Sequence, residues 1–385
     1  RMRRRTCGTR TNVTELTHER ETESPPEGTP DGTSSGRAAL PGLDALRLDG
    51  RRIAVLVGLG VLTVALLLAL GGGRQALTAL RGADWRVLAL AALIHYSGFA
   101  VRGHRWQLLL RSTGHRLRYV YVTALLLAGW FVSALLPARA GDLLRIGVLR
   151  LPDGPGAPVP VADGLGSIVM ERVLDILAIL LLGATFGFLV LRTRLPGWVL
   201  TAYVVAGGLL LVLGVALLLA PALLDWLRTW SGHSLWQKAL DFAGQVVVSL
   251  RALAQRPAIA ALALGESLYI WLCDGLLLWL VIRALGQTVP LGAAAFVALT
   301  VDIFAAVPVT PGGVGQIETA YAALLALLAL PAVNIATVNI AAVVLATRLI
   351  SYWSFLLVSG VVTFAAGFGA VLRRPATTGP ATVTD

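Results

Sequence analysis

Long uncharged apolar runs, separated by short basic interruptions, set the pattern of this chain. Residues 53–70 hold 18 positions without a charge and residues 199–220 hold 22. Each run is long enough to cross ~30 Å of hydrocarbon at ~1.5 Å per residue. Further apolar runs at 87–101, 167–191, 258–282 and 349–372 complete six predicted spanning helices. Shorter runs at 119–136 and 137–151, and again at 291–307 and 317–330, are interrupted by proline and glycine. They read as the arms of two re-entrant or broken helical hairpins. The predicted fold is therefore an all-α polytopic membrane protein, with eight full spans as the alternative plan.

Composition agrees with that reading. Hydrophobic residues make up 56% of the chain and the mean hydropathy is +0.76, outside the range of a soluble core. Residues 1–50 are rich in Gly, Pro, Ser, Thr and mixed charge without a hydrophobic period, so they are expected to form a disordered cytoplasmic tail. This tail is too polar for a signal peptide, which leaves 53–70 as a retained first span. Residues 51–372 form the expected helical membrane domain and 373–385 a short second tail. Cys7 and Cys273 are the two cysteines, one in the tail and one in a span, so no disulfide framework is expected.

The net charge of +11 changes the picture in one respect. In a soluble protein it would suggest nucleic acid; here the arginines flank apolar runs, where anionic lipid headgroups are the expected partner and nucleic acid is not. Basic loops favour the cytoplasm. If the first hairpin enters and leaves on the cytoplasmic side, then Arg47, Arg51 and Arg52, a loop with Arg102, Arg105, Arg111, Arg116 and Arg118, a loop at 221–257, and Arg373 with Arg374 all face inward. The second hairpin then enters from outside, giving two oppositely oriented broken-helix elements as in transporters. The expected location is the cell membrane, with the N-terminus cytoplasmic.

Three segments carry candidate chemistry. In "VPVTPGGVGQIETAY", 307–321, Pro308 and Pro311 stop one helix. Gly312, Gly313 and Gly315 permit turns and close approach, and the restarting helix presents unpaired N–H groups that attract anions. Glu318 lies in its first turns, either complementing the helix dipole or serving a site. In "ALLPARAGDLLRIGVLR", 134–150, Arg139, Asp142 and Arg145 recur every three residues along one helix side, a forked-donor set suited to phosphate, or else a basic interfacial helix. In "SIVMERVLDILAILLL", 167–182, Glu171 and Asp175 share a helix face, which costs free energy unless a cation or proton compensates. Arg172 is adjacent but points elsewhere on an ideal helix. Glu266 and Asp274 lie on one further span, about 80° apart around it, so both are expected to face one cavity. Asp302 sits in the first arm of the second hairpin, and Arg348 precedes 24 uncharged residues. Ionisable groups at such depth are functional candidates.

Together these motifs resemble the lysylphosphatidylglycerol synthase transmembrane-region family. The resemblance rests on Pro137, Arg139, Gly141, Asp142 and Arg145, on Glu171, Arg172 and Asp175, on Pro308, Pro311, Gly312, Gly313, Gly315 and Glu318, and on Arg348 with Tyr352. It covers about 50–372 in the expected order. It implies a protein that moves or handles lipids with anionic or aminoacylated headgroups. Asp142 stands where the family often has Glu, keeping the charge with a shorter reach. The large soluble aminoacyltransferase domain of the synthases is not expected in this chain.

The expected function is lipid transport of the flippase type, without cofactor. Arg139, Arg145 and Arg348 with the N–H groups near Gly312 to Gly315 would hold a phosphate; Glu171, Asp175, Glu318, Asp274, Asp302 and Glu266 would balance charge or carry a proton. No G-x-x-x-x-G-K-[ST] loop occurs. His95, His104 and His115 lack metal-ligand spacing, so no metal is expected. The rivals are an intramembrane enzyme acting on a lipid phosphate, and a non-catalytic partner of a separate lipid synthase or glycosyltransferase.

Overall fold

The computed structural model describes residue 58 and residues 73–136, 139–151, 158–191, 197–230, 233–306, 310, 313–328 and 339–368. The two predicted tails, most of the 53–70 run, and Pro137, Pro308, Pro311 and Gly312 lie outside them. Among the described residues there is no strand. The helices are α1 Gly73–Arg81, α2 Trp85–Ser112, α3 Tyr119–Leu135, α4 Ala140–Leu149, α5 Val161–Leu191, α6 Gly197–Arg228, α7 Ser234–Ala254, α8 Pro257–Ala284, α9 Leu291–Ala305, α10 Gln316–Leu328, α11 Ile340–Arg348 and α12 Phe355–Ala365. A π-helical stretch, Leu349–Ser354, joins α11 to α12 in one continuous rod.

Length separates two kinds of helix. α2 and α8 have 28 residues, α5 has 31 and α6 has 32. At ~1.5 Å per residue such helices exceed the ~30 Å hydrocarbon layer. α3 and α4 have 17 and 10 residues, and α9 and α10 have 15 and 13, so none of these four matches the usual span. Each short pair packs against itself as a hairpin. The first turns through extended Leu136 and left-handed Arg139. The second ends its first arm at Ala305 and restarts at Gln316 after Gly313 and Gly315, both at positive φ.

Two predicted loops are helical instead. The 102–118 loop is largely the last three turns of α2, which runs to Ser112, so Arg102 and Arg105 are helix residues buried in the protein. They are tolerated there because each faces a carboxylate on another helix. The 221–257 loop is the end of α6, which continues through Pro221 to Arg228, followed by α7. Arg251 of α7 donates to the carbonyls of Leu217 and Leu218 near Pro221, satisfying acceptors that the proline ring leaves weakly paired.

The apolar core has two main parts. Leu277, Leu278 and Ile282 of α8 meet Phe296 and Val297 of α9 and Val343 and Val344 of α11. Trp106 and Leu110 of α2 meet Leu125 and Leu126 of α3 and Leu144 of α4. α6 is different: its most apolar stretch has no buried residues, and Val204, Leu209, Leu211 and Leu218 are exposed. A helix apolar all round and unburied suits hydrocarbon, not water. α3 crosses α4 at Gly129 and Gly141. A Cβ on Gly129 would meet Cγ of Arg145 at 2.7 Å and the carbonyl oxygen of Gly141 at 2.9 Å. Only glycine lets the two backbones approach closely enough to seat Arg145 between them.

Candidate functional site

The packing of α2, α4, α5 and α8 encloses a cluster of charges. Glu171 is fully buried on α5; its Oε2 accepts from Nη2 of Arg145 at 2.7 Å, and its Oε1 faces Nη2 of Arg105 at 3.6 Å and Nη2 of Arg172 at 3.5 Å. One turn on, Asp175 accepts from Nη1 of Arg105 at 2.6 Å and from the indole N–H of Trp271 at 3.0 Å. Arg105 also donates to Ser267 of α8 at 2.6 Å. Asp142 gives Arg145 a second carboxylate, 3.2 Å from its Nη1. The guanidinium of Arg145 lies 3.9 Å from the Trp106 ring centre.

This arrangement resolves the like-charge problem of Glu171 and Asp175: arginines from three helices supply the compensating charge, which makes the buried pair affordable in low dielectric. Arg172 does not point away, as an ideal helix suggests. Its long side chain curls back to Glu171 and reaches Asp175 at 3.6 Å. Arg145 is entirely buried and bound to two carboxylates. Three donors of the cluster, the Nε–H groups of Arg105, Arg145 and Arg172, are buried without a hydrogen-bond acceptor among the described residues.

A second group lies where the hairpin tips meet. Arg139 begins α4 in the left-handed region, φ 52° and ψ 40°, and its Nη2 donates to the carbonyl of Ala306, at the end of the opposite hairpin's first arm, at 3.0 Å. It is half-buried, and no carboxylate among the described residues lies within ion-pair distance of it. Glu318 is buried and bound at both oxygens: Oε1 accepts from Nε of Arg348 at 2.6 Å, and Oε2 from the backbone N–H of Gly315 at 2.7 Å. It thus caps the start of α10 and anchors α11 to it. The Arg348 guanidinium lies 4.3 Å from the ring centre of Tyr352, whose hydroxyl donates to the carbonyl of Ala134 on the first hairpin. Tyr352 belongs to the π-helical stretch, a distortion that often accompanies functional positions.

Between the groups, Asp274 of α8 binds His95 Nδ1 at 2.9 Å and Arg102 Nη2 at 3.3 Å. The Arg102 guanidinium sits within 5.3 Å of the ring centres of Phe99, Trp130 and Trp271. Oδ2 of Asp302 on α9 is buried without a hydrogen-bond partner among the described residues. Glu266 and Asp274 both face α2, where Glu266 binds His104 at 2.5 Å and Asp274 binds His95. His95, His104 and His115 each pair with one carboxylate, His115 with Asp163 at 2.8 Å. Among the described residues no three His, Cys, Asp or Glu side chains gather at metal-binding spacing. Arg102, Arg105, His95, Ser267 and Trp271 were not marked by the sequence motifs. The available signal was the three-residue spacing of Arg102 and Arg105 just before Trp106 and the Leu108–Leu110 run, which puts both on one helical face.

Spanning helices, two broken hairpins meeting tip to tip and a buried polar interior together define an integral, multi-pass membrane protein. The family described as the lysylphosphatidylglycerol synthase TM region matches residues 53–359, and the chain belongs to it. It is 31% identical over 314 residues to glycosyltransferase AglD of Haloferax volcanii, an alignment covering 72% of this chain and 50% of that protein. The chain therefore spans about half the length of that relative. It is 25% identical over 327 residues to a UPF0104 membrane protein of Methanothermobacter thermautotrophicus, covering 80% and 91% of the two chains. A UPF0104 membrane protein of Methanocaldococcus jannaschii is 26% identical over 251 residues, covering 64% and 97%. No solved structure matches.

Proposed function

We propose that the protein moves a lipid, or a lipid-linked intermediate, with an anionic headgroup from one leaflet to the other, its acyl chains staying in the bilayer. The observation that carries this reading is Arg139: a half-buried guanidinium at the contact of the two hairpin tips, without a carboxylate in ion-pair range among the described residues. A forked donor in that position suits a phosphate. The Nε–H groups of Arg105, Arg145 and Arg172, without an acceptor among the described residues, are further donors that an anion satisfies when the interior opens. Arg145 and Glu171 then position the site by holding α4 against α5, and Glu318 with Arg348 holds the second hairpin in register. Asp302, whose Oδ2 is buried without a hydrogen-bond partner among the described residues, is the group that exchanges a proton during transport.

The name of the Haloferax relative favours a lipid-linked sugar among possible cargoes, and it supports a second reading in which this chain serves a glycosyltransferase as its membrane partner. In either case we place the protein in the cell membrane with its N-terminus cytoplasmic, the side that basic loops favour. The test is reconstitution into liposomes with labelled anionic, aminoacyl and glycosyl lipids. Leaflet exchange without chemical change supports transport. A modified lipid on mass analysis replaces it with the enzyme reading, and exchange that requires an added glycosyltransferase favours the partner reading.

A further inference from the structure

A separate cavity of about 520 Å³ opens where α2 ends and α8 begins, lined by Arg111, Gly114, Arg116 and Arg256. That volume falls within the ~300–1,000 Å³ of small-ligand sites. Its three arginines are exposed, and among the described residues none makes an ion pair. The neighbouring carboxylate, Asp163, is already engaged by His115 at 2.8 Å and by the hydroxyl of Ser249. One bond draws the walls together: Nη1 of Arg256 donates to the carbonyl of Arg111 at 3.4 Å, tying the α7–α8 corner to the last turn of α2. Gly114, at φ 96°, turns the chain between Arg111 and Arg116 so that both border the same space.

Three guanidiniums around one cavity, none of them ion-paired among the described residues, form a strongly attracting field for a multiply charged anion. A singly charged phosphodiester would neutralise only part of it, whereas a phosphomonoester or diphosphate group matches both charge and forked geometry. Six helix positions, or ~9 Å of rise, separate Arg111 from Arg105 along α2. We infer that this cavity is a second, phosphate-binding site, selective for phosphomonoester or diphosphate groups, at the end of α2 away from Trp85. The chemistry is shared by a lipid phosphate headgroup and a soluble phosphate compound. The inference concerns binding and stands whether or not the protein transports lipid.

The test uses the full chain in phosphatidylcholine nanodiscs. In one arm, inorganic diphosphate is titrated at constant ionic strength and followed by thermal unfolding; in the other, nanodiscs contain phosphatidic acid and bound lipids are counted by native mass spectrometry. The variant replaces Arg111, Arg116 and Arg256 by Gln. A control replaces Arg74, Arg81 and Arg86 by Gln, removing equal charge near the opposite end of α2. Charged hydrogen bonds of this kind are worth roughly tenfold or more in affinity each. Wild type and control should therefore bind at least one probe about a thousandfold more tightly than the variant. Response to diphosphate assigns a soluble ligand, and retention of phosphatidic acid alone assigns a headgroup. Arg116→Gln alone, which removes no hydrogen bond of the described structure, should weaken binding about tenfold and guards against misfolding of the triple variant. Binding of neither probe by wild type, or equal loss in control and variant, overturns the inference.

Discussion

Nη2 of Arg145 lies 2.7 Å from Oε2 of Glu171, and neither side chain exposes any surface. The pair ties the first hairpin to α5. Taking two charges out of water costs several kcal/mol, and removing one partner of a buried pair typically destabilises by about 3 to 5 kcal/mol because the other stays buried and unpaired. Glu171→Gln and Arg145→Gln are each expected to lower stability on that scale. The double variant should lose less than the sum by about 1 kcal/mol or more. Unfolding of the purified protein in detergent checks this, and strict additivity would mean that the two residues do not act as a unit.

Arg139 occupies the left-handed region, which costs a non-glycine residue roughly 1 to 2 kcal/mol. Arg139→Gly relieves that cost and removes the guanidinium. The variant should be as stable as wild type or more so, yet lose transport at least tenfold. Arg139→Lys should retain part of the activity if a point charge suffices, and little if forked recognition is needed.

Glu318 is bound by Arg348 and by the Gly315 N–H, so it does more than complement a helix dipole. Glu318→Gln should cost about 1.5 to 3 kcal/mol, the range for hydrogen bonds to a charged group. A loss confined to ~0.3 to 1 kcal/mol would return it to the dipole role.

Gly313 has φ 65°, and a Cβ there would sit 2.6 Å from Cδ1 of Ile317. Gly313→Val should therefore impair both stability and transport. Adding Ile317→Ala removes the clash but not the backbone strain, so it should rescue stability only in part.

Asp302→Asn keeps the shape of the neutral acid and removes the exchangeable proton. Stability should stay within about 0.5 kcal/mol of wild type, since Oδ2 has no hydrogen-bond partner among the described residues to lose. Transport measured between pH 5 and 8 should lose whatever pH dependence wild type shows. Unchanged pH dependence would remove Asp302 from the proton step.

Much of this arrangement was legible in the sequence because membranes make backbone breaks costly. Proline and glycine beside Arg139 and Gly313 marked both hairpin tips, and Glu171 with Asp175 marked a place where charge had to be compensated. The compensating groups were harder to see. Arg102 and Arg105 fit the statistics of a cytoplasmic loop, and only tertiary packing against Asp274 and Asp175 makes them interior residues. Ser267 and Trp271 are ordinary members of an apolar run until α8 turns them toward Arg105 and Asp175. Arg172 was misdirected by ideal helix geometry, which fixes its Cβ but not the end of a long side chain.

The most direct test is leaflet exchange by the purified protein in liposomes containing fluorescent phosphatidylglycerol, with an impermeant quencher added outside. With wild-type protein, quenching should proceed beyond the outer-leaflet pool and the recovered lipid should be chemically unchanged; with Arg139→Gly, folded and incorporated equally, it should stop at the outer leaflet. Wild-type liposomes that quench no further than protein-free ones across anionic, aminoacyl and glycosyl probes, or an Arg139→Gly protein that exchanges lipid at the wild-type rate, would contradict the account.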